Sequence, residues 1–361
     1  MRLFNRYFIK IYLIAIIQIS IVSAILIFLI DLVELSRRFD EISNIAFYEL
    51  IKLSTYKLPS TFEDISPIII VIGTLTCLFK LSKSSEIVIS NAIGISIWQI
   101  ILPITLCAIL FGLTIVIILN PISIQMKYNF IQLEKNIKGN DTPFGQKLDK
   151  EFWSSQKNNI GELIINAEQL DVNDQKLVGV TILQFNEEMD LVARYDSTSA
   201  YLDDGQWYLD KTWVTDQDNI SKFMGKTKVN TFSDELFLQE EILKSSKQSI
   251  WTIKDTITKL KKNNISYAKH LTDLNFFLSL PILMGGLALV SACFMAKQFR
   301  VQHALIMLIL GIISGMLIFV VNHISYILSE SEIFNPILGA WWHIILIYLI
   351  ATKILILRED G

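Results

Sequence analysis

Six apolar stretches, three before and three after a long polar block, are the feature that most constrains how this chain can fold. A helix needs about 20 mostly apolar residues to cross the hydrocarbon core of a bilayer. Five stretches meet this requirement, and the second is shorter and bounded by charges: Ile11 to Ile30, Ile65 to Leu81, Ile97 to Leu119, Leu274 to Ala296, Ala304 to Leu328 and Ile337 to Leu357. Charged residues make up only 19% of the 361 residues, against about 25% in an average soluble protein. The pattern predicts an α-helical polytopic membrane protein with six transmembrane helices.

The first stretch also has features of a cleaved signal peptide, because Arg2, Arg6 and Lys10 precede it. A signal peptide has an apolar region of about 7 to 15 residues and a small-residue cleavage site. The stretch here is longer, and no such site precedes Asp31. We therefore expect it to remain as the first span.

Lysine and arginine in the short connections set the expected orientation, because cytoplasmic loops carry an excess of both. With six spans, the basic connections fall on one side: Arg2, Arg6 and Lys10, then Lys80 and Lys83, then Lys297 and Arg300, then Lys353 and Arg358. The loop after the fifth span is acidic, with Glu330 and Glu332. Both termini are predicted to be cytoplasmic, and the polar block is predicted to lie outside the cytoplasm.

The polar block has the length of a single domain and a strand-like pattern of short branched and aromatic runs. Asp204 and Gly205 stand between the runs Ala200 to Leu202 and Trp207 to Leu209. Asp-Gly favours a tight hairpin turn, so these two runs should pair antiparallel. The block is predicted to be an all-β domain, either a sandwich or barrel-like.

The predicted organisation has four parts. Residues 1–120 hold the first three spans, 121–248 form the β domain, 249–270 form a connecting helix, and 271–361 hold the last three spans. The connecting helix is predicted because Ile253, Ile257 and Leu260 fall on one helical face.

Catalytic or metal-binding chemistry finds little support in the sequence. The four histidines have no metal-ligand spacing, and the three cysteines, Cys77, Cys107 and Cys293, all lie within spans. Gly225 to Thr227 resembles the end of a P-loop, but Ile220 stands where that motif needs a glycine. We predict no metal and no catalytic residue in this chain.

Two segments suggest contacts between helices or between proteins. Residues Ser82 to Ser96 are too polar to span a membrane, and their pattern predicts a short amphipathic helix that ends at Gly94. Such a helix suits docking into a separate motor subunit, or it lies flat on the membrane surface. In the fifth span, Gly311 and Gly315 form a small-xxx-small motif for close helix packing, within the chain or at a gate.

Several short motifs add to the three-plus-three layout. They are EIVISNAIGIS from Glu86 to Ser96, Asn335 with Pro336, Gly339 to Trp341, Phe152 with Trp153, Val180 to Glu187, Trp207 to Leu209, and DLVELSRR from Asp31 to Arg38. Together they resemble the LptF/LptG permeases of the lipopolysaccharide exporter of Gram-negative bacteria. The resemblance covers nearly the whole chain, and the motifs within the β domain and after the first span look more like LptG than LptF.

This resemblance implies a permease subunit of an ABC-type exporter that extracts lipopolysaccharide from the inner membrane and passes it to a periplasmic bridge. It implies a β-jellyroll fold for the exported domain. It also implies LptF, an LptB dimer, LptC and the LptA bridge as partners, with ATP and Mg used by LptB rather than by this chain. In this family, spans one and five of each permease line lateral gates.

The resemblance also assigns site residues by position. Glu86 matches the family's acidic residue at the start of the coupling helix, which is expected at about residues 84–95. Docking to LptB is assigned to Ser85, Glu86, Asn91, Gly94 and Ile95. Binding of lipopolysaccharide phosphates is assigned to Arg37 and Arg38. The alternative is that both are simply solvated at the membrane edge. Asp31 departs from relatives that have a lysine at that position.

Three alternative functions stay open. The LptF paralogue of the same complex is the first alternative. A MacB or lipoprotein-release permease is a second alternative, but those proteins have four spans with the exported domain between the first and second. A membrane-bound enzyme acting on envelope lipids is the third, and it needs a polar catalytic cluster.

Overall fold

The structure is a computed structural model that describes residues 2–39, 46–138, 152–157, 161–171, 176–186, 190–203, 206–216, 220–231, 249–262, 267–295 and 301–359. The chain divides into two compact units. One comprises Met1–Phe130 with Gln248–Gly361, and the other comprises Ile131–Lys247. The described part of the first unit is helical, and an antiparallel sheet forms the second. The predicted fold class, a helical membrane protein with an inserted β domain, is confirmed.

Nine α-helices and one π-helical turn occur in the described residues. They are α1 (Arg2–Arg38), α2 (Phe47–Lys83), α3 (Glu86–Ala92), α4 (Ile97–Thr114), the π-helical turn (Ile115–Leu119), α5 (Asn120–Lys138), α6 (Ile253–Lys262), α7 (Ala268–Met295), α8 (Val301–Glu330) and α9 (Pro336–Glu359). Six helices in this part of the chain are long and apolar enough to cross a membrane, and they include α1, α2, α7, α8 and α9. The remaining one is the continuous helix that α4, the π-helical turn and α5 form together.

The second span is only marginally apolar because most of it faces protein. In the 18-residue apolar segment of α2, 61% is buried inside the protein, and in the corresponding segment of α7 the buried share is 67%. Helix α7 packs against α2, α4, α8 and α9, which makes it the centre of the helical unit. One polar contact inside this core joins neighbouring helices: the Tyr12 hydroxyl of α1 lies 3.0 Å from Thr74 Oγ1 of α2. A span that contacts protein needs fewer lipid-compatible side chains than one that faces lipid.

Helices α1 and α2 continue beyond their apolar runs and pack against each other there. Leu35 of α1 and Phe39 directly after it are buried, as are Leu50 and Leu53 of α2. The polar faces of these extensions lower their average hydropathy. For this reason the apolar runs predicted the spans but not the full length of the two helices.

The third span contains a π-helical turn, and Pro121 explains its position. Proline has no N–H to donate and its ring excludes the carbonyl four residues earlier, here that of Ile117. The helix widens instead, and the Asn120 N–H donates to the carbonyl of Ile115, five residues back. The wider turn changes which face of the following helix points inward. Asn120, which directly follows the turn, is buried, with 3% of its surface exposed.

The second unit is a single six-stranded antiparallel sheet in its described residues. The strands are β1 (Phe152–Lys157), β2 (Glu162–Asp171), β3 (Lys176–Phe185), β4 (Leu191–Asp203), β5 (Gln206–Asp216) and β6 (Ser221–Asn230), and they pair in sequence order. Leu202 pairs with Trp207 and Ala200 with Leu209, which confirms the predicted hairpin. A jellyroll has two sheets joined by Greek-key connections. These strands form one sheet of consecutive hairpins, so the jellyroll remains a prediction.

Side chains alternate between the two faces of this sheet. One face carries its apolar core, which includes Ile165 and, as its largest member, Trp207, and neither has any exposed surface. On the opposite face, the rings of Tyr201 and Tyr208 stack with their centroids 5.0 Å apart, and Lys228 lies over the ring of Tyr208. The alternation follows from the two-residue period of a strand.

Tyr195 packs against the edge of this core. Burial raises the pKa of Tyr195, and the nearby Asp216 carboxylate raises it further. The phenol therefore stays protonated at neutral pH and donates to Gln184 Oε1 at 3.1 Å.

Candidate functional site

The short helix α3 connects α2 to α4 and lies between two residues with left-handed backbone conformation. Ser85 precedes it with φ of 59°, and Gly94 follows it with φ of 88°. The N–H of Ile95 donates to the carbonyl of Ser90 at 3.0 Å, which is the bond of a Schellman cap. Gly94 therefore ends the helix as predicted. Helix α3 covers Glu86–Ala92 rather than about 84–95, because the left-handed residues Ser85 and Gly94 interrupt the helical backbone on its two sides.

The residues assigned to docking differ in how accessible they are. Glu86 is half-buried, and its Oε1 accepts a hydrogen bond of 2.8 Å from Ser84 Oγ. Gly94 is exposed, and Ser85 is half-buried. Ile95 packs against the helical core. Asn91 lies in the last turn of α3, and its side chain lies outside the described residues.

Two exposed isoleucines, Ile89 on α3 and Ile93 directly after it, were not assigned to docking by sequence reasoning. Ile87 and Ser90 face the core and are buried. Ile89 and Ile93 lie four residues apart on the other side, with 55% and 68% of their surface exposed. The four-residue spacing is visible in the sequence, but it does not tell which isoleucines face the core. Among the described side chains between Glu86 and Gly94, these two are the large apolar ones that are exposed.

Helices α1 and α8 are the least covered of the six spans. In the 18-residue apolar segments of these helices, only 17% of α1 and 11% of α8 is buried, whereas the buried share in α7 is 67%. Both pack against α2. Their other faces expose large apolar side chains, including Ile14, Ile17, Ile21 and Ile25 of α1 and Ile306, Ile309, Ile313 and Met316 of α8. These two faces are open to lipid or to another subunit.

The glycine motif of α8 faces α2. A Cβ atom at Gly311 would lie 2.7 Å from Leu75, and one at Gly315 would lie 2.7 Å from Val71. The two glycines therefore let α8 approach α2 closely within this chain, as small residues do between membrane helices. The motif does not lie on the uncovered face of α8.

Polar contacts fix the C-terminal part of α8 to its neighbours. Tyr326 donates to Asp273 of α7 at 2.6 Å, and Glu330 forms an ion pair with Lys269 at 3.5 Å. His343 of α9 is buried, and its Nε2 lies 3.0 Å from Asn322 Oδ1. His343 thus faces protein, as expected for an ionisable side chain in a span.

Charged side chains cluster where α1 leaves its apolar run. Lys57 of α2 forms ion pairs with Asp31 at 2.8 Å and with Glu34 at 3.0 Å. The side chain of Asp31 is only 6% exposed, whereas that of Glu34 is 56% exposed. Arg37 and Arg38 follow in the last turn of α1, and both are exposed. The charge of Asp31 is therefore balanced from α2, while the two arginines are accessible.

No group of three or more potential metal ligands occurs in the part of the chain that the structure describes. Gly225, the glycine of the partial P-loop motif, lies inside β6 with φ of 72°. Register shifts in β5 occur opposite this position, so the glycine belongs to an irregularity of the sheet. It does not precede a helix, as the glycine-rich loop of a P-loop does.

A sequence model of the lipopolysaccharide export system permease LptF/LptG matches residues 6–358, which is nearly the whole chain. The chain belongs to the LptF/LptG family. It is therefore a permease of lipopolysaccharide export and a multi-pass protein of the inner membrane. No curated protein matches the chain in a direct sequence comparison.

Membership of the LptF/LptG family agrees with the layout of the spans. Three candidate spans precede the inserted sheet and three follow it. A permease of the MacB or lipoprotein-release type has four spans and a different insertion point, so that alternative does not fit. The family description covers both LptF and LptG, and it makes the chain a transport permease that works with other proteins of lipopolysaccharide export.

Proposed function

We propose that this chain is the LptG-like permease subunit of an ABC-type exporter that extracts lipopolysaccharide from the inner membrane and passes it to a periplasmic bridge. The observation that carries the proposal is the uncovered state of α1 and α8. These helices are spans one and five, the two that line the lateral gates in the resemblance to this family.

The uncovered faces support a heterodimer. In this proposal LptF supplies the other half of each gate, so that α1 of this chain faces span five of LptF and α8 faces span one. Lipopolysaccharide enters between them from the outer leaflet of the inner membrane. Exposed branched side chains along both helices suit contact with acyl chains and with a second helical subunit.

The basic connections favour cytoplasmic termini, and in that orientation α3 lies on the cytoplasmic side. An LptB dimer docks there in this proposal, with the exposed Ile89 and Ile93 as apolar contacts and Glu86 and Gly94 at the two ends of the helix. ATP and Mg are used by LptB. This chain contributes the surface on which LptB docks and through which the movement of LptB reaches the spans.

On the periplasmic side, the inserted sheet receives lipopolysaccharide and passes it on. LptC and the LptA bridge are the proposed partners of this unit. Its apolar core face has the strand alternation that a jellyroll requires. In a jellyroll, that apolar face would line the path along which the acyl chains move.

Arg37 and Arg38 are the proposed contacts for lipopolysaccharide phosphates. Both are exposed at the end of α1, and guanidinium groups bind phosphate oxygens strongly. The acidic Asp31 does not oppose this role, because Lys57 balances its charge at 2.8 Å. The arginines lie beside the uncovered face of α1, where the lipid is proposed to enter.

Co-purification of a tagged copy from its native membrane tests the proposed function. We expect LptB, LptF and lipid A to be recovered with the chain. Recovery of a different ATPase, or of no ATPase, would overturn the exporter assignment. Recovery of LptB with LptG instead of LptF would make this chain the LptF paralogue.

The same purification tests the two arginines. The double variant Arg37→Glu with Arg38→Glu is expected to reduce bound lipid A at least fivefold while LptB and LptF are still recovered. The control is Lys254→Glu with Lys261→Glu, which makes the same change in charge at exposed positions of α6. Equal lipid A in both double variants would remove the arginines from the lipid site.

Docking on α3 is tested by Ile89→Glu. A charge at the centre of an apolar contact should weaken LptB binding at least tenfold, because buried apolar anchors dominate interface energies. The measurement is the amount of LptB that co-purifies with the tagged chain. The control is Ile220→Glu, which places the same charge at a similarly exposed isoleucine of the inserted unit, 56% against 55%. Unchanged LptB recovery with Ile89→Glu would show that docking does not use this face.

A further inference from the structure

A largely buried polar cluster joins three segments of the helical unit. Glu63 of α2 accepts two hydrogen bonds, from Asn120 Nδ2 at 2.8 Å and from Ser123 Oγ at 2.7 Å. Asn120 also accepts a bond of 3.1 Å at its Oδ1 from the backbone N–H of Ile250. Asn120 and Ser123 are each 3% exposed. We call Glu63, Asn120, Ser123 and the Ile250 N–H the root cluster.

The root cluster lies where the chain leaves the helical unit and where it returns. Helix α5, which carries Asn120 and Ser123, continues to Lys138 and so leads into the inserted unit, which begins at Ile131. Ile250 comes shortly after Lys247, the last residue of that unit. One asparagine side chain therefore joins the outgoing connection to the returning one. Both connections of the inserted unit are held at the same place.

The returning connection is also fixed next to Ile250. Its neighbour Ser249 accepts backbone bonds from the N–H groups of Thr252 and Ile253, at 3.0 and 2.9 Å, in the turn that leads into α6. Ile253, the first residue of α6, has no exposed surface. A displacement of Asn120 would thus act on the ordered segment from Ser249 to Ile253.

The apolar runs of α2 and of the third span meet at both of their ends. Helix α3 joins the end of α2 to the start of α4, and Glu63 bonds α2 to α5, the continuation of α4. A displacement of α3 would therefore act on two helices that are bonded to each other just beyond the far ends of their apolar runs, where Asn120 is also bonded to Ile250. The π-helical turn immediately before Asn120 gives this helix a local change in winding, and such turns occur frequently at functional sites.

We propose that Glu63, Asn120 and Ser123 are positioning residues that transmit movement of α2 and α4 to both connections of the inserted unit. The inference rests on the proposed function, in which LptB moves α3. Because the root cluster bonds these helices to both connections of the inserted unit, each ATP-driven movement of the spans then also moves those connections. Loosening the cluster uncouples ATP hydrolysis from lipid transfer.

The test is a swap of charge between Glu63 and Asn120 in the purified complex with LptB and LptF, reconstituted in proteoliposomes. Asn120→Asp places a second carboxylate against Glu63, so the bond is lost. We expect lipopolysaccharide release per ATP hydrolysed to fall at least tenfold while ATP hydrolysis stays within twofold of the unmodified complex. The control Gln125→Glu makes the same amide-to-carboxylate change at an exposed position of α5 and should leave both quantities unchanged.

The double variant Asn120→Asp with Glu63→Gln restores the cluster with donor and acceptor reversed. The amide of the new glutamine donates to one carboxylate oxygen at position 120, and the other oxygen accepts from the Ile250 N–H. The net charge equals that of the unmodified chain. We expect release per ATP to recover at least fivefold relative to Asn120→Asp alone.

Three results would overturn the inference: full release per ATP with Asn120→Asp, a parallel loss of ATP hydrolysis and release, or no recovery in the double variant. If Asn120→Asp fails to assemble with its partners, Ser123→Ala carries the test, because it removes the bond to Glu63 Oε2 without changing any charge. It should lower release per ATP about two- to threefold, and an unchanged value would also overturn the inference. Failure of the proposed function is distinguishable, because the unmodified complex itself would then lack LptB or release no lipid.

Discussion

Replacing Trp207 with alanine is expected to unfold the inserted sheet of this permease. Trp207 is the largest fully buried side chain of the described residues, and it lies in the apolar core of the sheet with Leu202 and Val229 as cross-strand partners. Removing a buried tryptophan ring costs about 3–5 kcal/mol of folding free energy. That is a large part of the roughly 5–15 kcal/mol that stabilises a typical domain. Limited proteolysis of the purified full-length protein should show rapid cleavage within residues 131–247 and not within the spans.

Trp213 provides a matched control on the same strand. It lies on the opposite face of the sheet, 52% exposed, with its ring centroid 5.3 Å from that of Phe223. Trp213→Ala should cost less than about 1 kcal/mol, as exposed substitutions usually do. Equal protease sensitivity of the two variants would mean that the described core is not what holds this sheet together.

Replacing Lys57 with methionine is expected to destabilise the junction of α1 and α2 by about 3 kcal/mol. Methionine keeps the apolar part of the side chain but leaves the buried Asp31 carboxylate without its cation. Removing one partner of a buried ion pair costs about 3–5 kcal/mol, because it leaves an uncompensated charge. The lower end applies here because Lys57 is 31% exposed. The measurement is the midpoint of thermal unfolding of the purified protein in detergent, which should fall by several degrees.

Two further variants identify the cause of this loss. Lys57→Met combined with Asp31→Leu removes both charges and should recover most of the stability, because a buried ion pair can be replaced by apolar side chains at little cost. Glu34→Gln removes the exposed partner of Lys57 and should cost less than about 1 kcal/mol. A double variant as unstable as Lys57→Met alone would show that packing, rather than the charge of Asp31, decides the outcome.

The spans and the hairpin at Leu202 and Trp207 could be predicted because their signals are local. A run of about 20 apolar residues is sufficient to identify a lipid-crossing helix, and Asp-Gly between two strand-like runs is sufficient for a hairpin. The layout of three spans on each side of a β insertion followed from these signals alone. The family resemblance added the function.

The root cluster and the pair of Lys57 with Asp31 had no local signal. Glu63 and Asn120 are 57 positions apart, and Asn120 and Ile250 are 130 positions apart. Their meeting depends on how α2 packs against the third span, directly after the π-helical turn. Sequence reasoning treated Pro121 as the start of the polar block and did not predict the turn before it.

The docking residues on α3 could be predicted only in part. Gly94 was identified as the end of the helix because glycine readily adopts the left-handed conformation found there. The roles of Ile87 and Ile89 could not be separated, because both are isoleucines in an alternating run and only the packing of α3 against the core buries one of them. Likewise, the sequence could not tell that Gly311 and Gly315 face α2 rather than a second subunit.

The sparse coverage of α1 and α8 has an energetic consequence for any opening between subunits. Lipid tails are as apolar as leucine, so pulling these helices away from a neighbour exposes no hydrocarbon to water. The hydrophobic effect that holds a soluble interface shut is therefore absent at these faces. What remains is contact packing, worth about 0.1–0.2 kcal/mol for each atom pair, and an inserted acyl chain replaces such contacts nearly one for one. In the proposed exporter, a lipid with several acyl chains would therefore meet no hydrophobic penalty on entering between the two subunits, and ATP hydrolysis would serve the step that expels it.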